Sequence, residues 1–457
     1  MSSGTKMKLS MLGLLALTLG ACVANNPNSN QSTVGPSPTP SASPLSASSE
    51  NSHSAVTLAV LDALLANENF VSELKTKVEV NEQQLAELKK AATEEVDHLR
   101  TSNAEDRNTD NNDARARATQ QIDRTLGEAK AAQFNSFVSD FWARGGEAAT
   151  SDQPATAVAK TPNAVPTDTR IVVNIPEYRM DLFKDGSLVK SYKIGIGYPE
   201  FPLPQGLRKA QTIIFNPTWT PPDSPWVAKM KDVKAGEKIE AGSKLNPLGP
   251  IKIPIGMPSL IHGGKAVAKL GTFASHGCVG LTTPQVKDFA KMLSQIAGTE
   301  LTDQSINTYL KDSTQTRAVK LKQTIPVELR YETIVVEDGA LHIYKDVYDQ
   351  NSNTEDNLQK VLAANGTSLE AFSEEEKSKV LAALNSMSAH PKALPSPTIE
   401  EKKDKQKRAE KKPPKNQKEV IVELKTLEGR GYPAPVNLDI GTGKSVVTAS
   451  ARPGTKP

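Results

Sequence analysis

Residues 261–281 read IHGGKAVAKLGTFASHGCVGL, and this stretch decides how the central part of the chain is interpreted. It holds two of the six histidines and one of the two cysteines of the chain, among five glycines. His262 closes the apolar run MPSLIH, which is typical of the end of a strand, and Cys278 follows in a glycine-rich turn. An imidazole near a thiol lowers the thiol pKa and makes the cysteine a nucleophile.

A helix start follows the cysteine. Thr283 and Pro284 suit an N-cap and a first helical position, and the helix should run to Gly298. The thiol, the imidazole and the positive end of this helix can then converge. Gly277 allows a tight turn that points backbone N–H groups at a developing oxyanion. The stretch therefore predicts attack of a thiolate on a carbonyl carbon.

Two other interpretations stay open on these residues alone. In the first, Cys278 is a small buried apolar residue and the histidines are satisfied in the core. In the second, His262, His276 and Cys278 bind zinc, since three protein ligands suffice in catalytic zinc sites, although the usual zinc spacings are missing. We expect no metal and no other cofactor.

The first 22 residues predict export. Lys6 and Lys8 precede a short apolar run at residues 11–19, which is too short to span a bilayer and is typical of a signal peptide. The LGAC sequence that ends at Cys22 resembles the lipobox of bacterial lipoproteins, whose cysteine carries the acyl chains. If Cys22 is acylated, Cys278 has no disulfide partner within the chain.

The composition argues for several domains and against nucleic acid. The net charge is +3 over 457 residues, so no strong positive field is available to attract phosphates. Apolar residues make up 37% of the chain, below the ~45–50% of globular chains, which predicts unfolded segments. We divide the chain into a signal peptide (1–22), a disordered tether (23–55), a helical hairpin or coiled-coil-like region (56–143), a linker (144–168), a strand-rich block (169–350), a helical extension (351–392), a basic Pro/Lys-rich linker (393–419) and a weakly ordered tail (420–457).

The helical region has an apolar residue at every seventh position, which predicts one long amphipathic helix. The residues of this sevenfold repeat are Leu64, Val71, Val78, Leu85 and Ala92. Asn67 and Asn81 on the neighbouring row weaken a strict coiled-coil assignment. The stretch DRNTDNNDA looks like a break before a second helix that carries Leu126, Phe134, Phe137 and Phe141. We therefore predict a helical hairpin or small bundle, which is either a stalk that self-associates or a unit packed on itself.

Two hairpins bound the strand-rich block. Apolar residues alternate on both sides of Asp185-Gly186 and again around Asp338-Gly339, which predicts type I′ turns between antiparallel strands.

The motif from His262-Gly263 to Ser275-His276-Gly277-Cys278 resembles the signature of L,D-transpeptidases with a YkuD-type catalytic domain. The stretches NPTWTPP (216–222), NPLGPIKIPI (246–255) and YETIVVEDGALHIYKDVY (331–348) also look like this family. The likeness covers residues 169–350, about two-fifths of the chain. It implies a multidomain protein whose central domain is a mainly-β sandwich with a few helices, flanked by an N-terminal helical region and a partly disordered C-terminal tail.

The resemblance also implies roles for individual residues. Cys278 would be the nucleophile and His262 the general base, with its ring held by the carbonyl of Gly263. The neighbouring loop would be shaped by His276 and Gly277 and braced by Ser275. Members of the family usually have arginine two residues after the cysteine, where this chain has Gly280. We place Ser275 and Gly280 on the substrate side of the site and leave donor and acceptor preference open.

The implied substrate is the peptide stem of peptidoglycan. In the family the thiolate attacks the diaminopimelate carbonyl of a tetrapeptide, expels D-Ala, and passes the acyl group to an amine on a second stem or on a protein. A carboxypeptidase or endopeptidase acting on the same bonds, and a non-catalytic wall-binding lipoprotein, are the alternatives. The implied location is the periplasm, with Cys22 lipid-anchored in the outer membrane.

Overall fold

The computed structural model describes residues 54, 56–102, 111–143, 161–388, 417–443 and 445–446. Several predicted segments lie outside this part of the chain. They are the signal peptide with Cys22, nearly all of the tether, the DRNTDNNDA break apart from its last residues, most of the basic linker and the last eleven residues of the tail. Within it, no helix combines the length and the apolar character needed to cross a membrane.

The N-terminal helical unit consists of five helices around their own apolar core. The helices are α1 (Leu58–Leu65), α2 (Glu68–Lys77), α3 (Glu82–Ser102), α4 (Asn111–Leu126) and α5 (Glu128–Ala143). The residues of the sevenfold repeat pack in this core, but they belong to three helices. Leu64 lies in α1, Val71 and Val78 lie in α2 and at its C-cap, and Leu85 and Ala92 lie in α3. A helical region is confirmed, whereas one long helix is wrong. Because the repeat packs within a single chain, it supports a unit packed on itself and not a self-associating stalk.

Two asparagines explain why the single helix is interrupted. The Asn67 Oδ1 accepts a hydrogen bond from the Phe70 N–H at 2.9 Å, and the Asn81 Oδ1 accepts one from the Gln84 N–H at 2.8 Å. Asparagine in these positions caps the first turn of a helix and so starts a new one. The residues that weaken the coiled-coil pattern are therefore the helix starts.

The central domain is built on a ten-stranded sheet, to which the domain itself contributes eight strands and the C-terminal segment two. The strands of the domain are β1 (Arg170–Asn174), β2 (Arg179–Lys184), β3 (Ser187–Lys193), β4 (Ile196–Gly197), β5 (Gly206–Phe215), β6 (Ile251–Pro254), β7 (Leu260–His262), β8 (Phe273–Ser275), β9 (Val279–Gly280) and β10 (Arg317–Arg330). Eight of these form the order β3-β2-β1-β10-β5-β6-β7-β9, and β4 pairs separately with β8. The mainly-β, sandwich-like domain is confirmed, and β7 and β9 place the site at one edge of its sheet.

Three helices belong to this domain: α6 (Pro225–Ala228), α7 (Thr283–Ile296) and α8 (Asp303–Lys311). The apolar face of α7 packs into the main core. Its N-cap is Thr282 and not Thr283, because the Thr282 Oγ1 accepts from the Gln285 N–H at 3.3 Å while the Gln285 Oε1 accepts from the Thr282 N–H at 3.0 Å. This reciprocal capping box defines the helix start. The helix ends at Ile296, two residues before the Gly298 of the sequence prediction.

Both predicted type I′ turns are present. Asp185 and Gly186 have φ of 48° and 80°, and Asp338 and Gly339 have φ of 45° and 83°. The second hairpin, β11 (Ile334–Glu337) and β12 (Ala340–Tyr344), is not part of the ten-stranded sheet. It pairs with β13 (Glu419–Glu423) and shares a separate core with α9 (Glu355–Ala364) and α10 (Glu374–Met387).

Residues 417–443 are ordered where the sequence analysis expected a weakly ordered tail from residue 420. After β13, the strand β14 (Leu438–Asp439) pairs with β3 and with β15 (Ser445–Val446), which completes the ten-stranded sheet. The Thr282 Oγ1 donates to the Gly441 carbonyl at 2.7 Å, and the Gln285 Nε2 donates to the Asp439 carbonyl at 2.9 Å. The segment also buries Val422, Leu424 and Leu427 in the separate core with α9 and α10, so apolar packing and these hydrogen bonds together hold it in place.

Candidate active site

Strands β7 and β9 bring the predicted base and nucleophile together. They run parallel, with Ile261 opposite Val279 and His262 opposite Gly280. Side chains alternate along a strand, so Cys278, two residues before Gly280, projects to the same face as His262. Both side chains line one cleft of about 460 Å³. Cys278 is half-buried and lines this cleft.

His262 is held in one orientation by the backbone. It is 3% exposed, and its Nδ1 lies 2.8 Å from the Gly263 carbonyl oxygen. A carbonyl can only accept, so in the neutral ring Nδ1 carries the proton and Nε2 the lone pair. Burial, with a smaller contribution from the charge of Lys265, lowers the His262 pKa to about 3, against the raising effect of the Gly263 and Leu248 carbonyls. The imidazole is therefore neutral at pH 7.

Cys278 is also neutral at rest. Burial raises the pKa of its thiol above the usual value, while a backbone hydrogen bond from Leu260 and the charges of Lys265 and Lys252 oppose that rise. The sequence analysis expected an ionised thiolate, and the buried pocket reverses that expectation because it disfavours a charge on either partner. The thiol and the imidazole that line this cleft are therefore both uncharged at neutral pH.

The turn before the nucleophile is closed by Ser275. Its Oγ accepts from the Cys278 N–H at 3.0 Å and donates to the Cys278 carbonyl at 2.5 Å. Its only proton is therefore used inside the loop and is not available to a substrate. Gly277 has φ of 91°, a backbone conformation that favours glycine. No described residue accepts from the Gly277 N–H, which leaves it as a backbone donor next to the sulfur.

His276 is packed among aromatic rings. It stacks on Trp226 with centroids 4.2 Å apart and planes 10° apart, and it contacts Phe201 and Tyr198 at 5.2 Å each. Burial lowers its pKa to about 3, with a further contribution from Lys265. The ring supports the loop that carries Cys278. Among the described residues, no three His, Cys, Asp or Glu side chains converge as a metal site requires.

Lys265 occupies the space above Gly280. A Cβ added to Gly280 would lie 2.9 Å from the Lys265 Cγ and 3.1 Å from its Cε, so the lysine stem fills the place of the missing side chain. Lys265 has no ion pair with a described carboxylate, and it lines the cleft. Burial lowers the Lys265 pKa, and the nearby Cys278 raises it. A lysine from a neighbouring turn therefore carries positive charge where the sequence lacks the arginine of the family pattern.

Lys252 is a second cation in the cleft. It lies opposite His262 across the β6–β7 pair, and its Nζ donates to the Thr218 carbonyl at 3.3 Å. Sequence analysis missed both lysines, although Lys265 lies inside the stretch that it started from. It also missed the apolar walls of the cleft, which include Trp219, Trp226 and Met257. Two of these walls lie in stretches quoted from the sequence: Trp219 in NPTWTPP and Met257 in MPSLIH.

Comparison with known proteins identifies the domain. Residues 168–318, about a third of the chain, match the family model YkuD, described as the L,D-transpeptidase catalytic domain. This part of the chain is similar to YkuD-type L,D-transpeptidase domains. The YkuD domain is also similar to the probable L,D-transpeptidase ErfK/SrfK of Escherichia coli (strain K12), with 32% identity over 126 residues. That match spans 26% of this chain and 38% of the length of the relative.

Solved structures similar to the YkuD domain carry the same family name. The catalytic domain of an E. faecium L,D-transpeptidase is 18% identical, and the match covers 36% of this chain and 100% of that chain with a TM-score of 0.24. An L,D-transpeptidase from Mycobacterium smegmatis is 15% identical, and the match covers 36% of this chain and 58% of that chain with a TM-score of 0.21.

Removing the charge of Lys265 tests whether its ammonium group lowers the pKa of the Cys278 thiol. In a chain with Cys22 replaced by serine, Cys278 is the only thiol. Lys265→Met keeps the stem over Gly280 but removes the charge that lowers the thiol pKa. Alkylation of Cys278 by iodoacetamide at pH 8 should slow by about three- to tenfold. The alkylated fraction is measured by mass spectrometry over time.

The matched control is Lys269→Met, because Lys269 is an exposed lysine four residues along the same turn. It should alkylate at the wild-type rate, and Lys265→Arg should do so within about twofold. If Lys265→Met alkylates as fast as Lys269→Met, the ammonium group of Lys265 does not act on the sulfur.

Proposed function

We propose that this protein is a peptidoglycan L,D-transpeptidase that uses Cys278 as its nucleophile and His262 as its general base. The observation that carries the proposal is the pairing of β7 with β9, which puts both side chains into one cleft of a YkuD-type domain. The donor is a tetrapeptide stem, cleaved at the bond between diaminopimelate and D-Ala. The acceptor is an amine on a second stem or on a protein.

The first half-reaction forms a thioester. As the sulfur of Cys278 attacks the diaminopimelate carbonyl carbon, the thiol proton passes to Nε2 of His262. The oxyanion takes up the charge, with the Gly277 N–H as the nearest free backbone donor. When the carbon–nitrogen bond breaks, the imidazolium returns the proton to the leaving amine of D-Ala. The low pKa of His262 favours this return, since burial and Lys265 disfavour the charged ring.

The second half-reaction reverses these proton movements. The acceptor amine attacks the thioester carbon, His262 takes the proton that the amine loses, and the thiol of Cys278 is released. A 3→3 cross-link or a protein–murein bond results. If water attacks instead, the same groups give a carboxypeptidase.

The lysines of the cleft support an anionic donor. Lys252 and Lys265 have no ion pair with a described carboxylate, so their charges are available to a ligand. A peptide stem carries carboxylates at its D-Ala terminus and on diaminopimelate. Pairing with either would offset the cost of burying two ammonium groups.

Export and anchoring form part of the proposal. The predicted signal peptide at residues 1–22 supports export to the periplasm, and the lipobox at Cys22 supports a lipid anchor, which we place in the outer membrane. The apolar faces of the helical unit are used in its own core, so we propose no self-association through residues 56–143.

The test uses the chain from residue 23 onward and a purified disaccharide-tetrapeptide. We expect a cross-linked dimer whose mass equals two substrates minus one alanine, together with free D-Ala. Tandem mass spectrometry should locate the new bond between two diaminopimelate residues. Tripeptide monomers without dimers would instead identify a carboxypeptidase. Unchanged substrate, with Cys278 still reactive to iodoacetamide, would support the non-catalytic wall-binding alternative.

A further inference from the structure

The N-terminal helical unit contributes directly to the catalytic cleft. Ala59, Val60 and Ala63, all on α1, line the same cleft as His262 and Cys278. These residues lie outside the 168–318 match to the family model, so the family pattern does not account for them. Their side chains are small and apolar, and they face a space whose other walls are mostly aromatic and apolar.

The helical unit is fastened to the rim of this cleft. The Trp142 indole Nε1, on α5, donates to the carbonyl of Met257 at 2.8 Å, and Met257 itself lines the cleft. The guanidinium of Arg208, on β5, lies 3.8 Å from the centre of the Trp142 ring. Arg208 is fully buried, and the face of the Trp142 ring offsets part of the cost of burying its charge. The position of α5 is thus fixed against the catalytic domain.

A second contact joins the helical unit to the nucleophile loop. Ala59 and Leu99, from α1 and α3, form a buried cluster with Phe201, and Trp226 packs against it. Phe201 and Trp226 are two of the rings that surround His276, the residue before Gly277. The side chains that hold the loop are themselves held by the helical unit.

We propose that α1 is a specificity element of the active site, which narrows the cleft so that it accepts a slender, extended peptide and excludes bulkier chains from Cys278. The proposal rests on the proposed function for the identity of that peptide as a murein stem. The volume and the lining of the cleft indicate what it binds. About 460 Å³ suits a few residues of extended peptide, which would contact the apolar wall at α1 and the lysines of the cleft. A protein acceptor would reach this site only through a flexible, extended segment.

The test narrows the cleft further at Ala63, which is half-buried on its wall. The variant is Ala63→Trp in the full chain with Cys22 replaced by serine, and Cys278 is alkylated with iodoacetamide or with a bulky fluorescein maleimide. We expect the maleimide rate to fall at least about fivefold while the iodoacetamide rate stays within about twofold of wild type. Turnover of the tetrapeptide should fall with the maleimide rate. Ala63→Leu should give the same pattern with a smaller amplitude.

The matched control is Ala66→Trp, since Ala66 is exposed at the end of the same helix and does not line the cleft. It should leave both alkylation rates unchanged. Equal maleimide rates in Ala63→Trp and Ala66→Trp, in proteins with wild-type melting temperatures, would overturn the proposal. If Ala63→Trp does not fold, equal maleimide rates in Ala63→Leu and wild type would overturn it. The alkylation rates need no enzymatic turnover, so they stay informative even if the tetrapeptide assay shows that the proposed function is wrong.

Discussion

Replacing Cys278 by alanine should reduce formation of the cross-linked dimer by about 10⁴-fold or more, to the level of the reaction without enzyme. In the proposed reaction the sulfur forms the covalent intermediate, so its removal leaves no atom to carry the acyl group. The measurement is single-turnover product analysis of the disaccharide-tetrapeptide, with free D-Ala followed separately from dimer.

The control for Cys278→Ala is its melting temperature, which shows whether the variant still folds. The side chain is half-buried and its hydrogen bonds to Ser275 use backbone atoms only, so the melting temperature should stay within a few degrees of wild type. Cys278→Ser keeps the shape with a weaker nucleophile and should also be inactive at neutral pH. Dimer formation by Cys278→Ala at more than about one per cent of the wild-type rate would exclude this sulfur as the nucleophile.

Replacing His262 by glutamine should lower kcat by about 10²–10⁴-fold, because glutamine cannot take the thiol proton. Glutamine can still donate from its amide to the Gly263 carbonyl, so the site should keep its geometry. The buried His262 has a pKa of about 3, and it gains its proton only as the pH falls through that value. The wild-type kcat/KM should therefore show no loss between pH 8 and pH 5 from titration of this base.

The pH profile and the His262→Gln variant together test whether His262 acts as the base. Iodoacetamide alkylation of Cys278 should continue to rise above pH 9 in wild type, since burial raises the thiol pKa. An acidic loss of kcat/KM centred between pH 6 and 7 would contradict a base with the pKa of His262. Phe201→Leu serves as a comparison, because it loosens the packing around His276 without touching the proton path.

The features that could be predicted from sequence are the local ones. The Asp-Gly hairpins are set by two adjacent residues that accept positive φ, and His262 and Cys278 lie close in the chain on paired strands. The sevenfold repeat was misread because the same spacing also arises when three separate helices each turn one apolar face toward a common core.

The features that could not be predicted depend on partners far apart in sequence. The order of residues 438–443 comes from contacts with residues 282–285, and no apolar pattern in that segment announces them. The charge near Gly280 comes from a lysine fifteen positions earlier, because the glycine leaves room for it. The ionisation of the thiol was predicted in the wrong direction, since sequence shows neighbours but not the depth of burial.

The hydrogen bond from Thr282 to the carbonyl of Gly441 spans 159 positions and closes the helix that begins after the nucleophile loop. Ribosomes make a chain from its amino terminus onward. This bond can therefore form only after residue 441 has been synthesised, so the start of this helix acquires its full set of hydrogen bonds late in synthesis.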